Sequence, residues 1–149
     1  MYRTDIGIPS LRSAVSTGKG MVFMNTANPS QPRLSILQKN PLGDNLEPID
    51  LTPQFSWEDY VFDECVVDTW DKFIVVCAKT SDSAYNNRMF LVDTSQKNSV
   101  DIFSWEVNTI AQDNSGNLYM GSSLVQSTYQ IFSGFDDLTD TIDNSFTTK

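Results

Sequence analysis

The order of apolar and polar residues along the chain predicts short β-strands separated by turns. In FIVVCA, Phe73 to Ala78, every residue is apolar, which is typical of a strand buried on both faces. SVDIF, Ser99 to Phe103, and TYQIF, Thr128 to Phe132, alternate more, as strands do when one face meets water. Turn residues such as those of DNSGN, Asp113 to Asn117, separate these runs and close hairpins at low steric cost. The pattern predicts an all-β chain.

The tetrapeptide FSWE occurs twice, at Phe55 to Glu58 and at Phe103 to Glu106. The segments that follow the two copies resemble each other, since CVVDTWDKFIVVC (Cys65 to Cys77) and IAQDNSGNLYMGS (Ile110 to Ser122) each read as strand, polar turn and strand. A linker and a further strand follow in both copies. The repeat therefore indicates an architecture built from similar units.

A weaker copy precedes these two, with a turn and strand in GKGMVFM (Gly18 to Met24) and a further strand in RLSILQ (Arg33 to Gln38). About four strands recur with a period of about 40–50 residues, the range of propeller blades. We expect residues 1–149 to form one all-β domain or propeller segment. Its blade-like units are predicted at about 18–54, 55–102 and 103–135, with a tail at 136–149.

Three such units form an incomplete ring, because propellers typically need 4–8 blades. An open array leaves sheet faces and edges uncovered, so we expect either identical chains or another polypeptide to complete it. The first and last units look incomplete, which is expected of a piece of something larger. The alternative fold is a β-sandwich whose strands recur at regular spacing.

The repeated aromatic residues have an expected structural role in this architecture. Phe55 and Phe103 are predicted to end the outer strand of one blade. Trp57 and Trp105 are predicted to pack where the chain crosses to the next blade. Prolines are expected between strands, where a missing N–H costs no ladder hydrogen bond; they are Pro29, Pro32, Pro41, Pro48 and Pro53.

Composition and charge narrow the possible partners. The net charge is −9, and an acidic surface repels phosphate backbones, so we expect no nucleic-acid partner. No run approaches the ~20 apolar residues that span a bilayer, and the N-terminus lacks the apolar core of a secretory signal. We expect no membrane partner and synthesis inside the cell.

The two cysteines, Cys65 and Cys77, lie in apolar runs. We expect two buried thiols that act as small hydrophobic residues. A disulfide stays open as an alternative if Cys65 lies opposite Cys77 in a hairpin.

The residue inventory excludes several kinds of catalytic site. The chain has no His, which rules out a Ser-His-Asp or Cys-His arrangement within it. Two thiols without an imidazole are too few ligands for a zinc site, and no glycine-rich phosphate loop is present. We therefore expect a protein that is not an enzyme and that has no cofactor.

Calcium is the strongest remaining ligand candidate. The tail gathers four carboxylates, which hard cations favour; they are Asp136, Asp137, Asp140 and Asp143. Their spacing matches no known calcium loop, and neither does that of Asp113 to Asn117. A solvated acidic loop is the preferred interpretation.

The last third of the chain, Asp113 to Lys149, resembles the closing blade of propeller-type structural proteins from tailed bacteriophages and prophages. Those proteins run from a Gly-x-Leu-Tyr strand through a Gly-Ser turn to a Tyr-x-Ile/Leu-Phe strand and an acidic turn. The matching residues here are Gly116, Leu118, Tyr119, Gly121, Ser122, Tyr129, Ile131, Phe132, Gly134, Phe135, Asp136, Asp137, Thr148 and Lys149.

The resemblance implies a virion component of the tail, neck or baseplate, assembled in the host cytoplasm, that presents surfaces to neighbouring subunits and carries no catalytic residue. A cytoplasmic location is the alternative. Its expected partners are other virion proteins or copies of itself. Two other functions stay open. A carbohydrate-binding module would use exposed Trp57, Trp70 and Trp105 to stack on sugars, and a calcium-stabilised binding domain would use the acidic tail.

Overall fold

The computed structural model describes residues 5–122 and 128–132, and these contain β-strands and no helix. The predicted all-β class is confirmed. The strands form three antiparallel sheets, each with its strands side by side in chain order. Sheet A contains β1 (Ala14–Thr17), β2 (Gly20–Asn25), β3 (Arg33–Lys39) and β4 (Leu46–Asp50). Sheet B contains β5 (Tyr60–Trp70), β6 (Phe73–Thr80), β7 (Arg88–Asp93) and β8 (Ser99–Phe103). Sheet C contains β9 (Thr109–Gln112), β10 (Leu118–Gly121) and β11 (Thr128–Ile131).

Sheet B lies between the other two and is buried on both faces. Along β6, Ile74, Val76 and Ala78 pack into a cluster with sheet A, whereas Val75 and Cys77 pack into a second cluster with sheet C. Successive side chains of a strand point to opposite faces, so a strand between two sheets needs apolar residues throughout. The interpretation of FIVVCA as such a strand is confirmed.

The sheets approach each other at their first strands. β5 contacts β1 and β2 on one side and β9 on the other. Its outward edge is capped from both neighbours, since Val67 N donates to the Arg12 carbonyl and Gln112 Nε2 donates to the Thr69 carbonyl, each at 2.8 Å. These hydrogen bonds satisfy backbone N–H and C=O groups at the edge of β5, which could otherwise pair with another strand.

The fourth strands lie at the opposite, open margin. Ile49 of β4 shares a face with buried Ile36, and Ile102 of β8 shares a face with buried Phe90, yet the two are 46% and 45% exposed. In neighbouring sheets the first strands lie close together and the fourth strands are exposed, so the sheets are blade-like. None of the three sheets closes into a barrel.

The sheet boundaries refine two sequence predictions. β1 precedes residue 18, so the first sheet begins earlier than the unit predicted at 18–54 and has four strands. Pro48 lies within β4 and not between strands, where it was expected. β4 is an edge strand of sheet A, and an edge strand tolerates a residue without an N–H on its free side.

The hairpin between β5 and β6 has a two-residue loop, Asp71 and Lys72, since Trp70 pairs with Phe73. Asp71 has a φ of 53°, a conformation that favours Gly at the first loop position. We expect Asp71→Gly to raise the free energy of unfolding by about 0.5 kcal/mol, because relief of about 1–2 kcal/mol of backbone strain exceeds the added entropy of the unfolded chain. Urea unfolding measures the change.

The matched control for that substitution is Asp101→Gly, because Asp101 lies within strand β8 and is exposed. There Gly is expected to cost about 0.5–1 kcal/mol. Equal losses in the two variants would show that the Asp71 side chain stabilises the loop more than its backbone conformation strains it.

Candidate functional site

The first FSWE copy lies between sheets A and B. Trp57 is 1% exposed, and its Nε1–H donates to Thr52 Oγ1 at 2.8 Å. Its ring contacts Phe55, Phe62 and Phe90 edge to face, at centroid distances of 4.7, 6.2 and 4.9 Å. Trp57 therefore fills the space between the two sheets where the chain passes from one to the next.

The two FSWE phenylalanines differ in position. Phe103 is the last residue of β8, but Phe55 lies beyond the end of β4, which stops at Asp50. The expectation that Phe55 ends an outer strand was wrong. The Asp50 carboxylate accepts a hydrogen bond from Thr52 N at 3.0 Å, and this local turn takes the chain out of the strand before Phe55 is reached.

The second FSWE copy lies in an aromatic cluster between sheets B and C. The Trp70 ring is stacked with Phe73 and with Phe132, at centroid distances of 5.5 and 5.2 Å. Phe132 also contacts Trp105 at 5.4 Å, and Trp105 contacts Phe103 at 4.7 Å. Trp70 Nε1 donates to the Gly116 carbonyl at 2.8 Å. Trp70 is the last residue of β5, and its contacts join sheet B to sheet C.

The three tryptophan rings pack against other aromatic side chains of the protein. A sugar-binding tryptophan needs an open ring face, but Trp57 is buried and the Trp70 ring is already stacked with Phe73 and Phe132. Trp105 is half-buried against Phe103 and Phe132. The geometry does not present these three residues as a stacking platform.

The two thiols lie on opposite faces of sheet B. Cys65 packs in the cluster with sheet A and Cys77 in the cluster with sheet C, and both are free and buried. A bulge between Val61 and Val66 shifts the register, so that Val66 pairs with Cys77. Burial raises the pKa of both thiols, that of Cys77 to about 12. The expectation of two buried thiols is confirmed, and the disulfide alternative was wrong.

The DNSGN segment forms a hairpin turn around a carboxylate. Asp113 accepts hydrogen bonds from Ser115 N, from both Asn117 N and Asn117 Nδ2, and from the Tyr119 hydroxyl, at 2.9 to 3.1 Å. A cation site would need oxygen atoms that point at the ion, whereas donors converge here. Asp113 therefore braces the turn between β9 and β10.

This brace predicts a pH dependence. Hydrogen bonds, above all those from Asn117, hold the pKa of Asp113 below its ordinary 3.8. A lowered folded-state pKa contributes stability above the unfolded-state value and loses it as the pH falls through the folded-state value. We expect the stability of Asp113→Asn to fall less steeply than that of wild type as the pH falls below about 4. Circular dichroism along an acid titration measures this, and identical slopes would contradict the assigned role.

The predicted calcium ligands Asp136, Asp137, Asp140 and Asp143 lie outside the described residues. Within residues 5–122 and 128–132, no three Asp, Glu, Cys or His side chains converge to hold a metal ion. In the same residues, no helix is long and apolar enough to cross a membrane.

The candidate functional site is the face of sheet A that points away from sheet B, here called the outer face. At one end Phe23 is 1% and Ser35 2% exposed. At the other end Met21 is 43% exposed and pairs with half-buried Leu37, which pairs in turn with half-buried Pro48. An apolar row thus crosses the sheet on the side that sheet B does not cover.

The polar end of the outer face is occupied by the protein's own N-terminal segment. Asn25, which shares this face with Phe23, accepts a hydrogen bond from Gly7 N at 3.0 Å and donates to the Asp5 carbonyl at 2.9 Å. A cleft of about 340 Å³ remains beside this segment, with Arg33, Ser35 and Asp50 in its lining. The segment therefore leaves the Met21 end of the outer face uncovered.

The sequence contained a signal for this surface. Met21 to Met24 is a continuous apolar run, the same pattern that marked β6 as buried on both faces. In β2, Val22 and Met24 pack towards sheet B, whereas Met21 and Phe23 point the other way. The run therefore indicates a strand that needs cover on its second face.

Comparison of the chain with protein-family models, curated proteins and solved structures gave no match. The resemblance of residues 113–149 to closing blades of phage propellers stays a prediction.

Proposed function

We propose that this chain is a non-enzymatic structural protein of a tailed bacteriophage or prophage virion, placed in the tail, neck or baseplate and acting through protein–protein contacts. The observation that carries the proposal is the outer face of sheet A. Sheet B shows that these sheets bury both faces when neighbours are present, and the partly exposed row at Met21 is the equivalent surface without such a neighbour. The virion assignment rests on the resemblance of the C-terminal third.

The chemistry of the described side chains supports a non-catalytic role. A general acid at neutral pH needs a carboxyl whose pKa is raised. Hydrogen bonds instead lower the pKa of Asp82, Asp93 and Asp113, with the bonds from Thr80, Ser95 and Asn117 as the largest respective causes. These carboxylates act as acceptors within turns, a structural use.

Fractionation of virions tests the proposal. Particles are purified on a density gradient from a culture that produces the phage and expresses this chain, and the chain is detected by mass spectrometry and immunogold labelling. We expect it to co-sediment with particles and to label one end of the tail. Recovery only in the particle-free fraction would overturn the virion assignment.

A further inference from the structure

We propose that the free edge of β8 binds an extended peptide segment of a partner protein, which adds a strand to sheet B. An apolar side chain of this segment enters the open space between sheets A and B, and a carboxylate beside it pairs with Lys97. The edge of β8 is separate from the outer face of sheet A, so the binding of this segment does not depend on the virion assignment.

The edge of β8 offers backbone groups for an added strand. Among the described residues, β8 pairs with β7 and with no other strand. Its register with β7 is regular along its whole length, without a bulge. Two other edges are protected, since β4 carries Pro48 and hydrogen bonds from both neighbouring sheets cap β5. A regular and unprotected edge is a template for pairing with another chain.

Apolar side chains border the space that the added strand would adjoin. Val100 and Ile102 lie on the face of β8 that points towards sheet A, because they pair with buried Val92 and Phe90. Ile102 is 45% exposed. A groove of about 500 Å³ has half-buried Val100 and Phe55 in its lining. In strand addition alternate side chains of the peptide reach the same face of the sheet, so apolar residues at these positions bury surface against Val100, Ile102 and Phe55.

A cation lies at this groove. Lys97 is part of its lining, and in the part of the chain that the structure describes no carboxylate pairs with Lys97. Lys97 and Asn98 both have a φ of 58° and form a two-residue turn, which Ser99 N closes by donating to the Gln96 carbonyl at 3.2 Å. Gln54 Nε2 donates to the Asn98 carbonyl at 2.9 Å and holds the turn. Positive φ in residues other than Gly is strained and persists where surrounding contacts impose it, often at functional segments.

A second copy of the chain fits the edge of β8 less well than a different protein does. Asp101 is the middle residue of β8 and its only charged residue. Antiparallel pairing of two β8 strands about their centres places the two Asp101 carboxylates opposite each other, which is destabilising. Lys97 instead favours a partner segment that carries a carboxylate beside its apolar residue. The edge therefore fits an acidic and apolar segment of another protein.

Selection from a displayed random peptide library, with the purified full chain as the target, tests the proposal. We expect the enriched peptides to alternate apolar residues and to carry Asp or Glu. Binding of the synthetic peptides is then measured by fluorescence polarisation. N-methylation of one set of alternate peptide amides is expected to weaken binding about tenfold, because these amides bond to β8, whereas methylation of the other set leaves binding unchanged. Equal effects of the two sets would overturn strand addition.

Two variants test the side-chain contacts. Ile102→Lys places a charge where the apolar peptide residue packs and is expected to raise the dissociation constant about tenfold. Lys97→Glu is expected to raise it about fivefold for an acidic peptide, and to lower it for the same peptide with Lys in place of the acidic residue. The matched control is Leu46→Lys, because Leu46 is 47% exposed against 45% for Ile102 but lies on the outer face of sheet A. Circular dichroism checks that each variant is folded, and Lys97→Glu keeps the test valid should Ile102→Lys fail to fold.

Any of three results would overturn the proposal. One is a library selection that enriches no peptide dependent on Ile102. Another is full binding in both Ile102→Lys and Lys97→Glu, which would place the peptide elsewhere. The third is a wild-type dimer that Ile102→Lys converts to monomer, which would show that the edge pairs with a second copy. A chain that binds these peptides but is absent from virions would overturn only the proposed function, whereas a chain in virions that binds none would overturn only the peptide site.

Discussion

Replacing Trp57 by alanine is expected to lower the free energy of unfolding by about 3–5 kcal/mol, the range measured for large aromatic residues in cores. The ring is 1% exposed and lies against Phe55, Phe62 and Phe90. Its loss leaves a cavity between sheets A and B. It also removes the N–H group that donates a hydrogen bond to Thr52 Oγ1. Whole domains are stable by about 5–15 kcal/mol, so this one side chain accounts for a large share. Urea unfolding followed by circular dichroism measures the loss.

Two further variants separate the causes of this loss. Trp57→Phe retains an aromatic ring but not the N–H, and Thr52→Val removes the acceptor for that N–H. Thr52→Val is expected to cost about 1–3 kcal/mol, because Trp57 Nε1–H is then buried without a partner. A loss below about 1 kcal/mol in Trp57→Ala would contradict the packing described between sheets A and B.

The strands were predictable because both of their signals are local. Continuous apolar runs such as Phe73 to Ala78 can be satisfied only between two sheets, and the turn residues of DNSGN close a hairpin by their own hydrogen bonds. Each signal depends only on residues that are adjacent in sequence, so it can be recognised before any tertiary contact is known. The FSWE repeat extended the reasoning to the units, since its two tryptophans each lie at a passage between sheets.

Features that depend on register or on nonlocal contacts were not predictable. The bulge between Val61 and Val66 places Cys65 and Cys77 on opposite faces. The run from Cys65 to Val67 is apolar at each position, so its pattern does not show where the register shifts. The position of Phe55 follows from a turn in which Thr52 N donates to the Asp50 carboxylate. The presence of these two polar residues in the sequence does not by itself predict that turn.

The outer face of sheet A lies between these cases. The apolar run from Met21 to Met24 predicts two faces to be covered, but only the topology shows that sheet B covers one of them. The burial of Phe23 at the other end depends on how the N-terminal segment reaches Asn25, a contact distant in sequence. An uncovered sheet face can be recognised as a candidate site only when the positions of the other sheets are known.

Trp70→Ala is expected to cost about 2–3 kcal/mol, less than the range for fully buried aromatic residues because Trp70 is half-buried. The substitution removes the stacking contact with Phe132 and the hydrogen bond to the Gly116 carbonyl. Both contacts join sheet B to sheet C, so we expect the loss to concentrate in sheet C. Amide hydrogen exchange is the measurement, since it reports the stability of each segment separately.

The expected pattern is faster exchange at the amides of β10 with little change at those of β2. Trp57→Ala provides the opposite comparison, because its contacts join sheets A and B. Trp70→Phe keeps a ring in the stack and should lose only the hydrogen bond, about 1 kcal/mol. Uniform acceleration in all three sheets after Trp70→Ala would show that they unfold as one cooperative unit. Acceleration confined to sheet C would show that aromatic side chains join sheets of separate stability, and this is the behaviour expected of repeated units whose interfaces each lie with a nearest neighbour.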